Sequence, residues 1–482
     1  MQKNDPPYDK KTLLRGLIGL GIMMGIMKAT GGAGFALIIP LILIAFARNR
    51  IDSLVYLLMM TTVLSVTNSF FAPKDMIFSI CARGAYLLIA SIMILQNVTR
   101  RKSKLITPLL SLIFYVGFQA LTSAFGWQPL VSYLKLFLFF MVFLAFYSVA
   151  NATSERDNIR LPALRSCLLV FASFIILGSV ALIPFPAIAK MGATAAIDAG
   201  LDMDSIGLFM GVTFQPQTLG PAVAVISVVL FADLLFSIRR CDCFYLLLLL
   251  AAPVLVYYTS SRTAMGTYVA GMLFALWCFI QARSVGSVWK TRVLGIFLLL
   301  GIMGTLITFA TPQLRQKATE FVFKTHGGEI AKEEQKFDRL VSSRQGLVDD
   351  MMVNFRKSPI IGNGFQVSAQ MQGIRIFSWK QLLSAPIEKG VFIPAVLEEG
   401  GVVGMILFCI FLVVSFYSFL TRHAYIGACA LFVFLVANLG EFSLFSMSSI
   451  GGLMWAIVFI GLGIDAHRVQ QQTAIRVNLR RS

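Results

Sequence analysis

Runs of mainly apolar residues recur along almost the whole chain, and each is close to the length that must be hidden from water across a bilayer. A membrane-spanning helix needs roughly 20 such residues. Stretches that meet or approach this lie near 13–27, 32–47, 51–72, 76–96, 105–125, 130–150, 162–184, 217–238, 244–259, 264–281, 293–311, 400–420, 424–440 and 447–464. One soluble core could not absorb them: the 482 residues are 57% hydrophobic and 13% charged, against about half apolar and a quarter charged in soluble domains. In hydrocarbon every backbone polar group must be satisfied within the protein, which selects helices here. The chain therefore reads as all-α, a polytopic membrane helix bundle of about fourteen transmembrane helices.

The formal net charge of +18 would suggest nucleic acid in a soluble protein. Here it sorts by topology. With the N-terminus cytoplasmic, the inside segments hold 23 Lys and Arg, among them Lys10, Lys11, Arg48, Arg100, Arg165, Arg239, Arg240 and Arg468. The short outside segments hold 4: Lys28, Lys74, Lys190 and Arg262. That bias orients the bundle with both termini in the cytoplasm and excludes a nucleic-acid role for most of the charge. The polar first twelve residues lack a following small-residue cleavage site, so the first span reads as retained. The seven cysteines outline no disulfide framework, and Cys241 and Cys243 stand too close together for a tetrahedral zinc site.

One outside segment is not a tight turn. Residues 312–390 carry twelve Lys/Arg and eight Asp/Glu, and loops of this length are usually functional. Within it Phe337, Leu340, Leu347, Val348, Met351, Met352 and Phe355 recur at helical spacing. They predict an amphipathic helix on the outer membrane surface, ending at Ser358-Pro359 before a turn at Gly362-Asn363-Gly364. Four regions result: an N-terminal bundle (1–199), a central transmembrane segment (200–311), the extracytoplasmic loop (312–399), and C-terminal helices with a cytoplasmic tail (400–482).

Ionisable residues inside spans are costly and point to function. Arg83 and Lys135 fall one to two turns below the outer surface, and Arg262 sits at the outer mouth of its span. Separated spans can converge there into a cationic pocket suited to a phosphate or diphosphate. The structural alternative is snorkelling, or pairing with Glu441, Asp75 or Asp198. Asp233, near the cytoplasmic end of its span, is expected to pair with Arg239 or Arg240. His326, His423 and His467 are too scattered to bind a metal, and Asp202-Met203-Asp204 reads as a solvated loop. No metal or cofactor is expected. Neither an internal repeat nor a broken span is legible.

Four stretches together resemble the O-antigen ligase and O-antigen polymerase superfamily of bacterial envelope glycosyltransferases. They are Phe214-Gln215-Pro216-Gln217-Thr218-Leu219-Gly220; Ser260-Ser261-Arg262-Thr263-Ala264; Arg344 followed by Pro359-Ile360-Ile361-Gly362-Asn363-Gly364; and Leu397-Glu398-Glu399-Gly400-Gly401-Val402-Val403-Gly404. The resemblance covers about residues 200–440. It implies a multi-pass protein of the bacterial inner membrane that transfers a glycan from an undecaprenyl-diphosphate carrier to an acceptor sugar hydroxyl, with inversion and without metal or nucleotide. Other polysaccharide export components would be partners. Arg262 and Arg344 would hold the diphosphate leaving group, with Arg83 and Lys135 assisting and Gln215 and Gln217 lining the sugar path.

One feature departs from the family pattern. A histidine usual there, eleven residues before the glycine matching Gly401, is replaced by Pro386-Ile387-Glu388-Lys389-Gly390. Glu388 is the substitute proton acceptor, or Lys389 binds phosphate; the alternative is a solvated pair. The missing histidine tilts the expectation towards a polymerase of exopolysaccharide, capsule or O-antigen repeats. An O-antigen ligase, a flippase of lipid-linked oligosaccharides and a non-catalytic membrane subunit remain alternatives.

Overall fold

The computed structural model describes residues 8–48, 51–73, 75–98, 106–152, 161–192, 207–236, 242–282, 289–291, 293–295, 333–367, 391–440, 443–446 and 450–481. Among them the fold is helical, with only two isolated bridges, Thr67 to Thr213 and Lys190 to Phe209. The helices are α1 (Lys10–Thr30), α2 (Ile38–Ala47), α3 (Ile51–Val66), α4 (Met76–Val98), α5 (Ile106–Ser123), α6 (Pro129–Ala152), α7 (Leu161–Ala181) and α8 (Pro186–Ala189). They continue as α9 (Pro216–Phe236), α10 (Cys243–Tyr258), α11 (Arg262–Gln281), α12 (Glu333–Lys357), α13 (Phe392–Thr421), α14 (Tyr425–Asn438) and α15 (Ile450–Arg481).

Among the described residues seven helical stretches are long and apolar enough to cross a membrane: Lys10–Ala47, Pro129–Tyr147, Leu161–Ala181, Pro216–Phe236, Arg262–Gln281, Phe392–Thr421 and Ile450–Arg468. Five shorter apolar helices pack among them. The first stretch holds α1 and α2, which a 3₁₀ segment, Gly31–Leu37, joins. The span expected over 293–311 lies outside the described residues except for 293–295.

The helix that is apolar all round is the one at the centre, as burial on every face requires. α9 is buried along nearly its whole length and packs on α7, α10, α11, α14 and α15. At the periphery α1, α2 and α13 expose Leu14, Ile18, Leu43, Ile406 and Val413, the apolar outward surface that a bilayer covers.

Asp233 is expected to pair with Arg239 or Arg240, and both lie outside the described residues. Its carboxylate accepts from Arg165 Nε and Nη2, both at 2.9 Å, and from the Tyr245 hydroxyl at 2.9 Å. Arg165 is thus no loop charge: it is buried in α7, where a planar guanidinium matches a carboxylate in two parallel bonds. A second buried pair, Asp465 with Arg468 at 3.2 Å, lies at the same end; Asp465 accepts the Gly427 N–H and Arg468 donates to the His423 carbonyl. One expectation needs correction, the unbroken span: α13 is interrupted at Gly401, where φ is 62° and ψ −165°.

Candidate functional site

The four motifs come together in two interlocked pairs at one end of the bundle. In the first pair, Phe214–Gly220 meets Ser260–Ala264. The Phe214 N–H donates to the Val66 carbonyl at 3.0 Å and Thr67 bridges Thr213, bracing the approach to α9. Gln215 then accepts the Thr218 N–H at 3.1 Å, starting the helix. Gly220, one turn on, lies flat against α11. A Cβ there would come within 2.7 Å of the Ala264 Cβ and 2.9 Å of the Thr259 hydroxyl. Glycine is needed at this point for close approach.

Across that contact the chain reverses. Ser260 takes a left-handed φ of 52°, and the Ser261 hydroxyl accepts the Ala264 N–H at 3.2 Å as the N-cap. Arg262 is therefore the first residue of α11, half-buried at the positive end of the helix dipole. Gln215 and Gln217 are half-buried on the adjoining start of α9.

In the second pair, the turn Pro359–Gly364 fills the break in α13. The Glu398 and Glu399 carbonyls, orphaned where the first half of α13 stops, accept the Asn363 and Gly364 N–H groups at 2.9 and 3.1 Å. The Val402 and Val403 N–H groups, orphaned where the second half starts, donate to the Pro359 and Ile360 carbonyls at 2.8 and 3.2 Å. Each half-helix leaves terminal groups that water cannot reach inside a membrane protein. The turn supplies the partners.

Side chains deepen this contact. Asn354, on the last turns of α12, donates to Glu398 Oε1 at 2.8 Å. Asn363 Nδ2 donates to the Asn354 carbonyl at 3.0 Å and the Glu398 carbonyl at 3.2 Å. Asn354, Asn363, Glu398 and Glu399 are all buried. The α5–α6 turn closes the other side: the Trp127 N–H donates to the Asn363 carbonyl at 3.0 Å and the Phe365 N–H to the Ser123 hydroxyl at 3.3 Å. Gln119 lies along the Gly400 and Gly404 face of α13 and donates to the Tyr115 hydroxyl at 3.2 Å.

Gly440 and Phe445 link the pairs. Gly440 lies against Thr263, where a Cβ would stand 2.2 Å from the hydroxyl, and Phe445 packs on Phe365 with ring centroids 5.1 Å apart.

Lys135 is buried in α6, and its ammonium donates to the Gln366 carbonyl at 3.2 Å, just beyond the turn. Gln366 holds a left-handed φ of 52°. Arg83 is half-buried in α4. Asp75 spends both carboxylate oxygens on backbone, the Gly32 and Phe78 N–H groups, each at 2.7 Å. Arg344 falls in α12, seven residues before Met351 and so on the same face of the helix. Glu388, Lys389, His326, Asp198, Asp202, Asp204 and Glu441 lie outside the described residues.

On α12, Met351 and Asn354 are buried and the helix packs against α13, while Leu347, Val348, Met352 and Phe355 are half-buried. Sequence reasoning passed over Glu398, Glu399, Asn354 and Asn363 as individual residues. Their signal was a carboxylate pair directly before Gly-Gly, which the expected span boundary at residue 400 left in the loop.

Fold and site together define a helical membrane protein whose motifs gather at one end. The family model described as O-antigen ligase matches residues 245–409, which takes in the Arg262 turn, α12 and the break at Gly401. The match supports a place for the chain in the O-antigen ligase and polymerase superfamily. No curated protein matches the chain.

Proposed function

We propose that this protein transfers a glycan from an undecaprenyl-diphosphate carrier to an acceptor sugar hydroxyl at the outer face of the bacterial inner membrane, as a polymerase of exopolysaccharide, capsule or O-antigen repeats. The observation that carries the reading is the family match over the interlocked motifs, with Arg262 at the head of α11. In this reading the site end faces outward and both termini are cytoplasmic, following the charge bias of the loops.

Breaking the sugar–phosphate bond leaves negative charge on the diphosphate. A guanidinium at a helix N-terminus adds a fixed cation to an already positive dipole, which suits that charge as it develops. Arg262 and Arg344 take this role, with Arg83 assisting. Lys135, already engaged with the Gln366 carbonyl, would contribute its charge from behind the turn. Gln215 and Gln217, beside Arg262 across the Gly220 contact, line the sugar path. Glu388 accepts the proton of the attacking hydroxyl, with Lys389 as a phosphate ligand. No metal takes part in this scheme.

The broken helix favours a second reading, a transporter, because discontinuous spans build many transport sites. In transporters, however, the freed backbone groups face the cargo. Here four of them are taken up by the turn 359–364, which leaves the transferase reading ahead.

The test is the lipid-linked and surface glycan profile of a strain lacking the gene, complemented with wild type or with Arg262→Ala. Single repeat units accumulating on the carrier mark a polymerase, and long chains stranded on the carrier mark a ligase. Repeat units trapped on the cytoplasmic side mark a flippase and overturn the arginine assignments.

A further inference from the structure

The geometry points to Glu398 as a positioning residue: with Asn354 and Asn363 it forms a clamp that fixes the register of α12 on the break in α13. Only its activity arm rests on the transferase reading above.

Three elements meet in this cluster. α12 contributes Asn354, whose side-chain amide donates to Glu398 Oε1 at 2.8 Å and whose carbonyl accepts Asn363 Nδ2 at 3.0 Å. The turn contributes Asn363, which also donates through its backbone N–H to the Glu398 carbonyl at 2.9 Å. α13 contributes Glu398, in the last turn before the break. Each member is bonded to both of the others, so α12 cannot slide or rotate on α13 without breaking at least two bonds. The cluster is buried, with Glu398 2%, Asn363 5% and Asn354 7% exposed, so water offers no replacement partners.

This matters because of what α12 carries. Of its described side chains only Met351 and Asn354 are fully buried: Leu347, Val348, Met352 and Phe355 are half-buried, and Asp349, Asp350, Val353, Arg356 and Lys357 are exposed. A helix with so narrow an apolar contact is poorly fixed by burial alone, and a polar clamp sets its rotation. Position 344 shares the face of Met351, two turns nearer the start of the helix. Fixing Asn354 therefore fixes where position 344 stands relative to α13.

A positioning carboxylate and a proton-accepting one differ in what an amide can replace. Glutamine still presents an oxygen to Asn354 Nδ2, whereas it cannot take a proton from a hydroxyl. Glu398→Gln should keep α12 in place, and Glu398→Ala should release it.

The experiment is hydrogen exchange of residues 345–357 in the purified full-length protein in lipid nanodiscs, for wild type, Glu398→Gln, Glu398→Ala and Asn354→Ala, with glycan chain length scored in the same variants. The expected result is exchange faster by roughly tenfold or more in both alanine variants, with wild-type protection and chain length in Glu398→Gln. Unchanged exchange in both alanine variants overturns the clamp. A Glu398→Gln protein with wild-type protection and no transfer overturns the positioning role and assigns the carboxylate to proton transfer. Faster exchange in the alanine variants with an unchanged glycan profile upholds the clamp and overturns the link from α12 to transfer. Asn354→Ala separates the clamp from misfolding, because it leaves every atom of α13 in place.

Discussion

Gly362 and Gly401 are mutually fitted: a Cβ on Gly362 would stand 2.3 Å from the Glu399 carbonyl oxygen, and one on Gly401 2.3 Å from that of Ile360. Both also sit in the left-handed region, with φ of 73° and 62°. The two motifs, separated in sequence by residues 365–396, thus behave as one structural unit.

Gly401→Ala and Gly362→Ala should each destabilise the protein by more than about 2 kcal/mol, because the left-handed conformation alone costs about 1–2 kcal/mol for a residue with a Cβ. Gly266→Ala, where a Cβ meets nothing within 4 Å, is the control and should be neutral or slightly stabilising. Thermal unfolding of the purified variants in detergent, followed by monodispersity, reads both effects. A neutral Gly401→Ala would mean that the break is not held by the turn.

The buried pair at the opposite end makes a contrasting prediction. Removing one partner from Arg165–Asp233 leaves an uncompensated charge, which typically costs about 3–5 kcal/mol. Arg165→Met should therefore unfold the protein at much lower temperature, and adding Asp233→Leu should recover much of the loss. Among the described residues Asp233 would otherwise keep only the Tyr245 hydroxyl bond at 2.9 Å. The same detergent melts decide it: additive losses in the double variant would show that the pair is not a closed unit.

What the sequence made legible follows from where its information is local. The apolar runs placed most helices, and the pattern ending at Ser358-Pro359 placed the end of α12, because periodicity and proline act within a few residues. Arg165 and Asp233, 68 residues apart, carry no local mark of each other, so the nearest arginines drew the assignment. The periodicity of α12 marks an amphipathic helix, but a period does not name Met351 as the residue that α13 covers. The break at Gly401 escaped because Glu398 and Glu399 closed the apolar run from the N-terminal side. The helix in fact extends back through them to Phe392, with Asn354 donating to the Glu398 carboxylate and the turn taking up both backbone carbonyls. The match of the family model to residues 245–409 agrees with three of the four motifs and leaves Phe214–Gly220 outside it.

Arg262 allows a test of geometry against charge. Removing a fixed donor at a developing anion costs about 10²–10³ in rate, so Arg262→Ala should abolish visible chain extension. Arg262→Lys keeps the charge but loses the planar fork, and should be nearly as damaging. Transfer measured in vitro from purified lipid-linked repeat units gives the rates. A fully active Arg262→Lys enzyme would overturn the bidentate role while leaving a simple cation role standing.

The contact between Gly220 and Ala264 offers a subtler test of the same site. A methyl on Gly220 would sit 2.7 Å from the Ala264 Cβ, well inside van der Waals distance, so α9 and α11 must separate by several tenths of an ångström. Arg262 heads α11 within one turn of that contact and would move with it. Misplacement of about 1 Å can cost about 10²-fold in rate, so Gly220→Ala should lose activity out of proportion to its stability. The compensating swap, Gly220→Ala with Ala264→Gly, returns the lost space and should restore most of the transfer. Its own cost is a glycine inside α11, about 1 kcal/mol of stability. Paired measurements of melting temperature and transfer rate for the single and double variants decide the point. If the swap recovers stability but no activity, the close approach of α9 to α11 serves packing alone, and the position of Arg262 is set elsewhere.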